Sequence, residues 1–395
     1  MKEQPNGGNR SQGASSEVVR DINRRIVLNL IRTRQPISRA DLARASGLQR
    51  STISLIVEEL IAERWVMEGP TGRLPRGRRP TFLRLNEDRV IIGVDIRPPQ
   101  ITLALGNVNG KFTSQEVFPT PSNAKTAVET IIQRIHPMIR ACREKKIEGI
   151  GVTLPGRTRE GRLVFAPNLK WAEVDIRSGL AKATGLEVEM DNAANACVLA
   201  AVWFDRMDAA RDLVVVTVSE GIGTGILMDG RVVRGGSGMA GEFGHVPLDR
   251  EGPPCGCGSR GCWEVYASNR AALRYYHQGK TPAGELSFAD LLSLAEQEDP
   301  RAVSALDQMA HYLGRGMRMI VAGLAPERII VIGDVTRSWR RIGPAVEAEV
   351  RAQVLPGGCP PRLIPVYEGG MARLRGTVAL VLEKHFGAVG EASAV

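Results

Sequence analysis

The sequence predicts an α/β body of two lobes behind an N-terminal winged helix-turn-helix, and three observations carry that prediction. Near the N-terminus two helix-length apolar patterns are separated by a glycine turn at Gly47; beyond residue 90, strand-first segments recur in two halves; and residues 241 to 264, GEFGHVPLDREGPPCGCGSRGCWE, gather one His and three Cys in a glycine-rich loop. With 395 residues and 43% hydrophobic content, the chain is long enough for two or three domains with cores of their own. Its apolar runs, such as Leu213 to Val218 and Ile329 to Ile332, fall far short of the roughly 18 residues of a membrane span. The polar start MKEQPNGGNRSQGASS lacks a signal-peptide pattern, and Cys142, Cys197 and Cys359 are scattered singly, as in a reducing compartment. A cytoplasmic protein with no membrane partner is expected.

The charge is uneven. Residues 1 to 89 hold 17 Lys and Arg against 10 Asp and Glu, which places +7 of the formal +9 in that segment. A polyanion-binding module joined to a nearly neutral body follows from this asymmetry. Residues 1–16, rich in Gly, Ser and Asn, are expected to be disordered, and 17–86 to form the DNA-binding domain. Val18 to Arg34 reads as a first helix with Ile22, Ile26, Val27, Leu30 and Ile31 on one face and Pro36 ending it. Ser38 caps a second helix, Gly47 turns the chain, and QRSTISLIVEELIAERW starts a third with Ile53, Ile56, Val57 and Leu60 toward the core. In a helix-turn-helix the N-terminal residues of that third helix enter the major groove; here they are Gln49, Arg50, Ser51, Thr52 and Ser54. The next stretch holds two strand-like runs around a loop with Arg73, Arg76, Arg78 and Arg79, a basic wing able to reach phosphates or the minor groove.

From residue 90 to 395 the pattern is strand-first: VIIGVDI, ITLALGNV and QEVFP, a helix from Lys125 to Lys146, the strand IEGIGVTLPG, a helix from Val174 to Thr184, the strand EVEM and a helix from Ala194 to Asp205. A second half follows, with the hairpin LVVVTVSEGIGTGILMDGRVV, helices at Ala267 to Gln278 and Pro300 to Leu324, strand RIIVIG, a helix from Pro344 to Gln353, strand RLIPVY and a last helix from Ala372 to Phe386. In the loop at 244–264, His245, Cys255, Cys257 and Cys262 supply one imidazole and three thiolates, the ligand set of a closed structural zinc site. Glu242 and Glu264 bracket the loop and are candidates for hydrogen-bonding a polyhydroxylated ligand.

These motifs carry a resemblance. Pro155–Gly156, GIGTG at 221–225, Glu242 to His245, and CxCGxxGCxE ending at Glu264 resemble the ROK family of repressors, open reading frames and sugar kinases. The resemblance covers nearly the whole chain and implies an actin-like (ribonuclease-H-like) two-lobe fold. It also implies sugar contacts at Gly156, Arg157, Asn192, Glu242, His245 and Glu264.

Where family members phosphorylate sugars, a DxGGT loop approaches ATP; the matching residues here are Asp95, Ile96, Arg97, Pro98 and Pro99, and proline has no amide hydrogen for a phosphate. The second phosphate segment reads Ser219 to Gly225, with the Glu220 carboxylate where the resemblance implies that phosphate approaches, and the family's later GG is Gly333–Asp334. The END(A)N motif aligns with Asp191 to Asn195, placing Ala193 where the resemblance implies the catalytic base; a slide that puts Asp191 there displaces Asn192 and Asn195. The expectation is a non-enzymatic regulator, a homodimer or homotetramer that binds operator DNA and answers to a sugar or sugar-phosphate effector. The alternatives are an active ATP-dependent sugar kinase carrying a DNA-binding domain, and a protein-interaction module with a vestigial pocket.

Overall fold

The computed structural model describes residues 16–71, 80–159, 161–205, 210–277, 286–352 and 358–387. The described residues divide into two units, 16–86 with His385–Gly387, and 87–384.

In the first unit, α1 (Ser16–Arg34) is followed by β1 (Ile37–Ser38), α2 (Arg39–Ser46), α3 (Arg50–Ala62), β2 (Val66–Thr71) and β3 (Thr81–Leu85). The short sheet runs β1-β3-β2, all antiparallel. Ser38 caps α2 reciprocally: its hydroxyl accepts from Asp41 N at 3.2 Å, and the Asp41 carboxylate accepts from Ser38 N at 3.3 Å. Gly47 ends α2 at φ 72°, a left-handed conformation that costs a glycine little. Val27, Leu28 and Ile31 of α1 close on Leu42, Ile53, Val57 and Leu60. Ile22, expected in that core, is 45% exposed, and Leu28 stands there instead, because the inward stripe of α1 starts a turn later than the sequence pattern suggests. His385–Gly387 belong to this unit: the His385 and Phe386 rings lie 4.6 and 5.7 Å from that of Trp65, and Asn29 Nδ2 donates to Phe386 O at 3.0 Å.

The second unit starts with β4 (Arg89–Ile96), β5 (Gln100–Asn107), β6 (Phe112–Pro119), α4 (Ala124–Ala141) and β7 (Lys146–Leu154). A small excursion, β8 (Arg157–Arg159), β9 (Arg162–Ala166) and β10 (Trp171–Val174), precedes α5 (Ile176–Thr184), β11 (Val188–Asn192) and α6 (Ala193–Phe204). The second half has β12 (Leu213–Val218), β13 (Ile222–Met228), β14 (Arg231–Val232), a 3-10 turn at Glu242–His245, α7 (Glu264–Ala267), α8 (Asn269–Tyr276), α9 (Phe288–Glu296), α10 (Pro300–Leu324) and β15 (Arg328–Ile332). It ends with α11 (Trp339–Arg351), β16 (Arg362–Val366) and α12 (Gly369–Phe386).

The two five-stranded sheets repeat one plan, β11-β7-β4-β5-β6 and β14-β13-β12-β15-β16. In each, an antiparallel run joins strands paired in parallel through helical crossovers, and each lobe keeps its own apolar core. Two glycines let helices press onto the sheets. A Cβ at Gly151 would strike the Thr377 carbonyl of α12, and one at Gly225 the Ala194 carbonyl of α6. Several boundaries differ from the sequence reading. α4 stops at Ala141, so that Lys146 opens β7; Val174 closes β10, and α5 starts at Ile176 behind its Asp175 cap. The helix read as Ala267 to Gln278 is α7 and α8, broken at Ser268, whose side chain caps α8.

Candidate functional site

A pocket opens between the two lobes where β7, β11 and β12 end and β13 begins. Its lobe-one wall is the turn after β7, Pro155–Gly156, and the foot of α6; its lobe-two wall is the turn from β12 to β13 and the 3-10 turn carrying Glu242 and His245. Gly156, at φ 101°, lies so close to the strand behind it that a Cβ would run into Phe165 O. Asn192 is the N-cap of α6: its Oδ1 accepts from Ala194 N at 2.7 Å and its Nδ2 donates to Gly156 O at 3.0 Å, so one side chain fixes two pocket segments.

Gly156, Asn192, Glu242, His245 and Glu264 all line this pocket. Arg157 is not among the lining residues; its Nη1 lies 3.4 Å from Met239 Sδ, and its Nε is buried without a hydrogen-bond partner among the described residues. Burial first, and Glu264 next to it, push the Glu242 carboxyl up, with His245 and Arg157 opposing. Glu264 is itself buried and lies 3.4 Å from Ile222 N, within reach of that donor.

Behind the pocket wall, His245, Cys255, Cys257 and Cys262 bring one donor atom each to within 4.8 Å of one another. Two of the separations match those of a tetrahedral ion. Zn–S of about 2.3 Å and Zn–N of about 2.0 Å require S···S of about 3.8 Å and S···N of about 3.5 Å; Cys257 and Cys262 Sγ are 3.7 Å apart, and Cys255 Sγ lies 3.6 Å from His245 Nδ1. Burial foremost, and the Glu264 carboxylate at 3.1 Å, push the Cys255 thiol up, so a thiolate there needs a cation beside it. His245 Nδ1 faces the sulfurs, while Nε2 lies 3.8 Å from Glu242 Oε2 on the pocket side.

Asn168 and Arg373 are lining residues that the sequence reading does not name, while Ala193 sits where it was read. Asn168, from the β9–β10 turn, accepts at Oδ1 from Arg270 Nη1 at 2.9 Å, a bond from lobe one to lobe two. Ala193 puts a methyl group at the pocket end of α6. Arg373 of α12 holds Asp95 with Nε at 2.9 and 3.0 Å from its two oxygens and Nη2 at 2.8 Å. Only Asn168 left a local signal, an Asn between Pro167 and Leu169 in a turn.

Asp191 does not line the pocket. Its Oδ1 accepts from Asn192 N at 2.7 Å and Asn195 Nδ2 at 3.1 Å, and its Oδ2 from Arg234 Nε at 2.8 Å. These bonds give it a structural post at the foot of α6.

In the first unit, Gln49, Arg50 and Ser51 are exposed at the start of α3, with Thr52 and Ser54 half-buried, while Ile53, Ile56, Val57 and Leu60 turn inward. Arg73, Arg76, Arg78 and Arg79 lie outside the described residues. Among the described residues no helix is long and apolar enough to cross a membrane.

Two lobes of like topology, a polar pocket between them and a His/Cys loop in its wall define a sugar-kinase-like α/β body behind a small helical unit. The ROK family model matches residues 91–384, and the chain belongs to the ROK family. It is 31% identical over 379 residues to the xylose repressor of Bacillus spizizenii, covering 94% of this chain and 98% of that one. Among solved structures, a ROK family transcriptional regulator homologous to the Escherichia coli MLC protein superposes with a TM-score of 0.79 at 26% identity over 93% of this chain and 98% of the other. A ROK family glucokinase from Streptomyces griseus, in complex with glucose and AMPPNP, matches with a TM-score of 0.67 and 27% identity over 74% of this chain and 98% of its own.

Proposed function

We propose that this protein is a transcriptional repressor of carbohydrate-metabolism genes whose kinase-like domain, 90–395, senses a sugar or sugar phosphate without turning it over. Similarity to a xylose repressor along 94% of the chain supports the class. The observation that carries the non-catalytic part is the pocket floor. Asn192, Glu242, His245 and Glu264 supply hydrogen-bonding partners for paired hydroxyls, while the α6 end presents the Ala193 methyl and Asp191 is committed to Arg234 and Asn195. Bound zinc is structural: it fixes the loop and holds the His245 ring so that Nε2 faces the pocket.

The first unit, residues 17–86, acts as the winged helix-turn-helix. α2, the Gly47 turn and α3 form the reading element, with Gln49, Arg50, Ser51, Thr52 and Ser54 toward base edges and Arg73, Arg76, Arg78 and Arg79 of the wing toward the backbone. Half-site recognition calls for a homodimer, or a dimer of dimers.

The test is fluorescence anisotropy of DNA from upstream of the protein's own gene, titrated with D-xylose, D-glucose, N-acetylglucosamine and their phosphates. Specific binding that one sugar weakens supports the reading. Sugar-dependent ADP release from Mg-ATP would overturn its non-catalytic part in favour of a kinase that also binds DNA.

A further inference from the structure

Arg234 opens the glycine-rich loop that ends at the pocket residue Glu242, and it lies between two carboxylates from other elements. Its Nε donates to Asp191 at 2.8 Å and its Nη2 to Glu383 at 3.4 Å. Asp191 immediately precedes the pocket residue Asn192 and accepts that residue's N–H. Glu383 lies in the last turn of α12, three residues before Phe386, which belongs to the N-terminal unit. Hydrogen bonds close the loop on itself and tie its end to the pocket wall. Gly235, Gly238 and Gly241 adopt positive φ, Arg234 O accepts from Ala240 N at 3.2 Å, and Gly241 O accepts from Thr224 of the pocket wall.

We infer that Arg234 is a positioning residue that couples occupancy of the pocket to the C-terminal turn of α12. The inference rests on the proposed function, since a pocket ligand is its input. A ligand drawing Glu242 and Asn192 together moves both the loop that begins at Arg234 and the strand end that holds Asp191. The guanidinium must follow, and its other arm then tightens or releases Glu383. Burial first, with Asp191 contributing, pushes the Glu383 carboxyl up while Arg234 opposes it, so the charge of Glu383 depends on keeping that partner. Arg234 does not line the pocket, which separates its role from ligand contact.

The experiment uses the full chain with the same sugar panel, and measures sugar affinity by calorimetry, operator affinity by anisotropy, and the ratio of operator Kd with and without saturating sugar. In the wild type that ratio should be of the usual allosteric size, about 5- to 150-fold. Arg234→Gln should keep sugar affinity without DNA and operator affinity without sugar each within about threefold while the ratio collapses toward one, and Arg234→Lys, which restores the charge, should recover part of it. An undiminished ratio in Arg234→Gln overturns the inference, and so does loss of sugar binding itself. Should that variant fail to fold, Glu383→Gln carries the same expectation and the same overturning result. A wild-type ratio of one with every sugar would instead sink the sensor reading, and it is seen without any variant.

Discussion

Six side chains show how much chemistry one loop can hold: His245 and Cys255 face each other, Cys257 faces Cys262, and Glu242 and Glu264 flank them. Cys257 is the exposed member of the set and is free of other structural work, so it tests the metal without disturbing a core. Cys257→Ser should lower zinc from near one ion per chain to a small fraction after dialysis against a mild chelator, and should weaken sugar binding by about 10- to 100-fold through loss of the fixed His245. Metal analysis beside calorimetry checks this, and full zinc occupancy in the variant would remove Cys257 from the ligand set. This group was legible because its donors lie within 18 residues between glycines. Arg373 on Asp95 and Arg234 on Asp191 were not, since 278 and 43 residues separate those partners and nothing local marks either pair.

Helix ends were legible where a side chain makes the cap and obscure where tertiary packing does. Ser38 and Gly47 bound α2 as the residue types dictate, and the Ser38–Asp41 pair draws the Asp41 carboxyl down, chiefly through the hydroxyl hydrogen bond. Ser38→Ala should cost about 1 kcal/mol of stability in the first unit, read as a lower midpoint in urea. The sign of the pH effect follows from the direction of the shift. A carboxyl held below its unfolded value of 3.8 stabilises the fold above that pH and loses the contribution as pH falls through the folded value. The difference between wild type and Ser38→Ala should therefore shrink below pH of about 4; a difference that grows there would remove Asp41 from the cap. By contrast, α9 (Phe288–Glu296) was missed even though Ser287 and Asp290 form the same box. Its nine residues make a short apolar pattern, and Leu291, Leu292 and Ala295 form a core face only because α8 and α10 are there to receive them. The β8–β10 excursion was missed for a related reason: its strands of three to five residues pair with one another and carry no alternation long enough to stand out.

At the scale of the whole chain, charge separates the two tasks. Residues 1 to 89 carry +7 of the total +9, whereas the body that holds the pocket is close to neutral. Operator binding through the first part releases counterions from DNA, so its affinity should fall steeply with salt; six to ten phosphate contacts correspond to a loss of about 10³- to 10⁵-fold between 50 and 200 mM. On the proposed reading, a sugar held by Asn192, Glu242, His245 and Glu264 would meet short-range hydrogen bonds in a recessed site, where screening beyond a Debye length of about 10 Å has little to act on. Its affinity should change by less than about twofold over the same range. Because coupling between sites is a free-energy difference in which the salt-dependent DNA term appears with and without sugar, the ratio of operator affinities should also hold steady while both affinities in it fall. Paired anisotropy titrations at the two salt concentrations, with and without saturating sugar, measure all three quantities. A ratio that decays in step with operator affinity would mean that the sugar acts by changing the phosphate contacts themselves, and would place the response in the basic wing and not in the presentation of α3.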